Sequence, residues 1–180
     1  AVFMIWTQTN QELGKLYGLS NPALLQSIYA VTSLISVLVT SWMVTKGLRE
    51  STVLIVYPAV AGVALLLAYF IHNGTLLFLV AALMGWFAAG GLMQLAESLL
   101  SGLYPDYKAT ATSAIGLANG ISNWGVIQIA ALITANGGIN APREILLFNF
   151  AICIIGIVLA LVVRHNQNKR AKAGIETLEK

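Results

Sequence analysis

The residue whose chemistry stands out most is Glu97, an acid about two helical turns inside a long apolar stretch. No Lys or Arg lies within any apolar stretch to pair with it. Charge in hydrocarbon is costly, so an ionisable group so placed is by default a proton relay or ion site. The competing reading is a neutral or water-bonded glutamate that braces the end of its helix. Trp86, Gly90, Met93, Gln94 and Ser101 fall on the same helical face as Glu97. A second polar face holds Gly116, Asn119, Gly120 and Asn123, flanked by Trp124 and Gln128. A third runs through Gln26, Tyr29, Thr32, Ser33, Ser36 and Thr40. Gln8 sits in a polar run, Trp6 to Gln11, that either lines a pathway or is already an external loop.

Catalytic and metal constellations are absent from the sequence. It has no HExxH, no GxSG-type nucleophile turn, no P-loop and no intramembrane Asp pair. His72 and His165 stand at the ends of apolar stretches without companion ligands, and Cys153 is the only cysteine. An intrachain disulfide and a CxxC metal site are therefore excluded. The expectation is no metal, no cofactor and no enzyme.

The elements that must hold these residues follow from composition. The 180 residues are 58% hydrophobic and 9% charged, with a mean hydropathy of +0.80. Soluble domains carry roughly 25% charge, so this chain is expected to face lipid over most of its surface. Apolar stretches of roughly 17–25 residues cross a bilayer core. Full spans are predicted at about 22–44, 52–71, 75–103, 108–135 and 143–164, after a partial span at 1–17. A loosely ordered tail is predicted over 165–180. The sequence opens part-way through an apolar run, without Met or a basic leader, so a missing N-terminal part is expected.

With the tail placed in the cytoplasm, the loops alternate outward from it. Eight of the ten basic residues then fall inside: Lys46, Arg49, Lys108, Arg164, Lys169, Arg170, Lys172 and Lys180. Lys15 and Arg143 fall outside. This is a positive-inside bias, and it accounts for the net charge of +3 without nucleic acid. Three spans with polar faces and two nearly without describe an inner wall and an outer wall. The alternative for the small residues is helix packing, Gly116-x-x-x-Gly120 having the spacing of a close-packing motif.

Two stretches resemble the C-terminal half of the major facilitator superfamily. Ser41-Trp42-Met43-Val44-Thr45-Lys46-Gly47-Leu48-Arg49 is similar to that family's basic turn, with Lys46 and Arg49 at the basic positions. Ser41, Thr45 and Leu48 depart from its Gly, Asp and Gly. Leu103 to Thr112 resembles the turn into the family's eleventh helix, with Lys108 where Arg is usual. The resemblance implies an all-α polytopic bundle running from the end of the seventh helix to the twelfth, with a six-helix N-terminal half absent. It also implies a multi-pass protein of the cell membrane with a cytoplasmic C-terminus. The implied function is secondary active transport of a small solute, proton-coupled, as uptake of a sugar or organic acid or as drug export. A non-transporting scaffold or receptor is the alternative. On that reading Gln8, Gln94, Asn119, Asn123, Trp124 and Gln128 are substrate or gate contacts, and Glu97 couples protons. Lys46, Arg49 and Lys108 form the cytoplasmic-loop motif. The partners implied are the solute, protons and the lipid bilayer.

Overall fold

The computed structural model describes the backbone of residues 2–92, 95–98 and 105–178, with side chains omitted at 105, 167 and 170–178. Among these residues there is no strand. Six helices follow in order: α1 Val2–Leu16, α2 Ala23–Thr45, α3 Glu50–Phe70, α4 Gly74–Met84, α5 Lys108–Gly137 and α6 Ala141–Leu178. α4 continues directly into a π-helical turn, Gly85–Ala89.

The turns are dictated locally. Gly18 and Gly47 take the left-handed conformation, φ 74° and 101°. At each, the glycine N–H and the next N–H bond back to the helix. Gly18 bonds Lys15 and Leu19 bonds Gly14, while Gly47 bonds Val44 and Leu48 bonds Met43. Both are glycine C-caps that satisfy orphan carbonyls. α4 starts differently, with the Asn73 side chain accepting from the Thr75 N–H at 2.9 Å. Pro58 lies within α3 without ending it.

Ala23–Thr45 and Glu50–Phe70 are long and apolar enough to cross a membrane, as is the continuous helical run Lys108–Asn166. That run has 59 residues, whereas a crossing needs about 20. Gly138, at φ 55°, divides it, and α5 packs back on α6. It is a helical hairpin, not one rod.

The core gathers Trp6, Leu13, Leu25, Leu65, Leu77, Met84 and Leu146, where five helices meet. α3 and α6 form the most extensive helix pair, with Gly62 letting Phe150 and Cys153 approach. Their other faces expose Val63, Phe70, Ile155 and Leu159. α5 stands at the edge and buries only Ala111 and Ala130.

Three expectations change. The stretch 75–103 is not one unbroken helix, because Gly90 (ψ 69°) and Gly91 (φ 83°) interrupt it before helical backbone resumes at Leu92. The polar run Trp6 to Gln11 is helical and not a loop. The tail continues α6 as helix to Leu178; its Lys, Ala and Glu are good helix formers.

Candidate functional site

The polar face of α2 is consumed inside the bundle. Ser36 Oγ donates to the Trp86 carbonyl at 2.7 Å, and Thr40 shares a 2.5 Å hydrogen bond with Tyr57. Gln26 Oε1 accepts from Asn10 at 2.7 Å. Thr32 bonds the carbonyls of Ile28 and Tyr29 on its own helix. The close approach of α2 to the π turn requires glycine: a Cβ at Gly85 would strike Thr32 and the Tyr29 carbonyl, and one at Gly90 would strike Ser36. Small-residue packing and interhelical hydrogen bonds of this kind join helices where lipid supplies no hydrophobic drive. The α2 stripe is therefore a joint, not an inner wall. The glycines packed tightest against α2 are Gly85 and Gly90. At Gly116 and Gly120 nothing lies within 4 Å of an added Cβ, so their spacing serves no packing among the described residues.

Polar surface remains between α1 and α5, where two cavities open. The first, of about 420 Å³, is lined by Phe3, Ala89, Leu92, Ala96, Asn119 and Ser122 among others, none of them charged. The second, of about 470 Å³, lies farther along α1 and is lined by Gln8, Thr9, Glu12 and Thr134 beside apolar residues. Asn123 donates to Asn119 Oδ1 at 3.2 Å, and its own Oδ1 is buried with no donor among the described residues. An amide oxygen left unsatisfied costs about 1–3 kcal/mol, so Asn123 is poised to accept a hydrogen bond from outside the described residues. Trp124 is 68% exposed and Gln128 is exposed, both off the two cavity linings. The structure thus brings Asn119 and Asn123 together, places Asn119 on the first cavity and Gln8 on the second, and leaves Trp124 and Gln128 on the open side of α5. Gln94, with Met93 and Ser101, lies outside the described residues.

Glu97 is half-buried on the short helical stretch beyond the Gly90–Gly91 break. Its neighbour Ser98 donates to Glu50 Oε1 at 2.8 Å, tying that stretch to the start of α3. Composition and periodicity did not single out Glu50. The available signal was an acid opening a helix, where it is favoured by the dipole. A cavity of about 270 Å³ beside this contact is lined by Thr40, Ser41, Thr45, Glu50, Leu95 and Ser98 among others. Lys46 is exposed and lies over the Trp42 ring at 5.6 Å. Arg49 is exposed ahead of α3. Lys108 is the first residue of α5, the end at which a cation disfavours a helix. Its position suits loop charge better than capping.

A family profile described as Major Facilitator Superfamily matches residues 1–179. The chain is 28% identical over 148 residues to "Inner membrane transport protein YdiM" of Escherichia coli (strain K12), covering 82% of this chain and 36% of that protein. It is 26% identical over 170 residues to "Uncharacterized MFS-type transporter YfkL" of Bacillus subtilis (strain 168), covering 93% and 41%. "Inner membrane transport protein YdiN" of Escherichia coli (strain K12) is 26% identical over 148 residues, covering 81% and 34%. The chain therefore spans well under half the length of these relatives. No solved structure matches it.

Proposed function

The chain belongs to the major facilitator superfamily, and from that premise we propose that the whole protein moves a small solute across the membrane by secondary active transport. The α1–α5 groove is this half's share of the path. The observation that carries the reading is the uncovered polar face of α5: open space at Gly116 and Gly120 beside the Asn119–Asn123 pair. Polar groups at this depth must meet protein or water. In this family the second wall of the path comes from the other six-helix half, which binds the solute jointly near the midplane. The uncharged lining of the first cavity suits amide hydrogen bonding with apolar contact.

Glu97 is the proton-coupling group in this proposal, lying one residue beyond Ala96 of the cavity lining. The break at Gly90–Gly91 lets its segment reorient against α4. The cytoplasmic end carries Lys46, Arg49, Lys108 and the C-terminal tail, by the positive-inside rule. The relatives' names, two of them inner membrane transport proteins, support a location in the cell membrane. Sugars, organic acids and drugs span the substrate range.

The test uses the whole protein in proteoliposomes loaded with a pH-sensitive dye and challenged with panels of those three solute classes. One class should move protons and should protect a cysteine at position 123 from a thiol reagent. Proton movement without protection would remove the α1–α5 groove from the path. Absence of any solute-driven flux would favour a scaffold or receptor.

A further inference from the structure

We propose that the end of the bundle where α1, α3 and α6 meet holds a phosphate-binding site built on Arg143, separate from the α1–α5 groove and independent of transport. Arg143 is the third residue of α6, in a first turn where the helix dipole disfavours a cation. Its position therefore calls for another partner. Nη2 donates to the Tyr69 carbonyl at 3.3 Å, and the guanidinium lies 4.7 Å over the Tyr69 ring. The Tyr17 phenol, which donates to the Ala68 carbonyl at 2.8 Å, is also beside it and interacts with it. These contacts fix the group without neutralising it, and Nε is buried with no acceptor. Among the described residues the ion pair is Glu12 with Lys15. Glu144, next in sequence, turns toward Gly137 instead.

In front of the guanidinium a cavity of about 380 Å³ opens, lined by Leu16, Tyr17, Gly18, His72, Asn140 and Arg143. The His72 ring stands 5.4 Å from that of Tyr17. Guanidinium, imidazole and amide can each donate a hydrogen bond, the Tyr17 hydroxyl being spent on Ala68, and no carboxylate lines the space. A preorganised, unneutralised arginine among donors recognises an anion, and its fork matches phosphate oxygens. Phe70, Ile71 and Ile139 are exposed nearby in sequence, a setting that would accept acyl chains below a headgroup. The phosphate is either that of an anionic lipid or free in solution.

The experiment compares thermal unfolding of the whole protein in three settings. These are phosphatidylcholine nanodiscs, the same discs containing phosphatidylglycerol, and phosphatidylcholine discs with inorganic phosphate. Wild type should be stabilised by one of the two anions. Arg143→Gln should weaken the apparent affinity by about tenfold or more, the scale of a lost charged hydrogen bond. Asn140→Leu, on an exposed turn, should weaken it while leaving the Arg143–Tyr69 contact, and it carries the test alone if Arg143→Gln fails to fold. Stabilisation by phosphatidylglycerol only assigns a lipid headgroup; stabilisation by inorganic phosphate as well assigns a site open to free phosphate. No stabilisation by either anion, or an affinity unchanged in every variant that folds, overturns the proposal.

Discussion

Gly90→Ala and Gly120→Ala form a matched pair that separates a packing glycine from an open one. Gly90 has φ −66°, so alanine meets no backbone penalty there and only the steric cost is read. An added Cβ would strike Ser36 Oγ, Ser36 Cβ and the Trp86 carbonyl. The struck atoms include backbone and a β-carbon, which cannot swing aside as a long side chain would. They also carry the Ser36–Trp86 hydrogen bond. Overpacking costs about 1–3 kcal/mol, and the lost bond adds about 0.6 kcal/mol on the membrane scale. Gly120→Ala meets nothing and replaces a mid-helix glycine, which favours the fold by about 0.5–1 kcal/mol. The whole protein would be unfolded at equilibrium in mixed detergent micelles. Gly90→Ala should be destabilised by about 1.6–3.6 kcal/mol, the sum of those two costs, and Gly120→Ala should match or exceed wild type. Ser36→Gly in the Gly90→Ala background should recover part of the loss, because it removes both struck side-chain atoms. Equal stability of Gly90→Ala and wild type would refute the α2–π packing. A Gly120→Ala loss as large as that of Gly90→Ala would show the α5 face to be packed, not open.

Glu97→Gln should preserve solute exchange but abolish accumulation driven by a proton gradient; undiminished accumulation leaves Glu97 a brace. Asn123→Leu, at a half-buried site with an unpartnered oxygen, should lower transport without lowering the unfolding midpoint. A fall in both together would mark a packing residue instead. Single cysteines replacing Lys46 and Asn73, both exposed, in a Cys153→Ala background should differ on intact cells. Position 73 should react with an impermeant thiol reagent and position 46 should not; the reverse pattern inverts the orientation.

Apolar stretch length, glycine and asparagine turn signals, and the polar runs were legible in the sequence because they are local properties of consecutive residues. They sufficed for an all-α membrane fold and for the resemblance that the family profile bears out. α3 and the apolar part of α6 carry few polar groups between their ends, and the structure packs them on each other. Partner choice was not legible. The stripes of α2 and α5 look alike at helical period, yet Ser36 and Thr40 are spent on Trp86 and Tyr57 while Gly116 and Gly120 face open space. Periodicity states that a polar face must be satisfied, and only the tertiary arrangement decides which atoms satisfy it. The interruption at Gly90–Gly91 was equally hidden, because a glycine in an apolar helix is tolerated wherever neighbours bond the freed groups. The links Glu50 to Ser98 and Arg143 to Tyr69 join residues 48 and 74 positions apart. Contacts at such separation have no periodic signature, so packing alone created them.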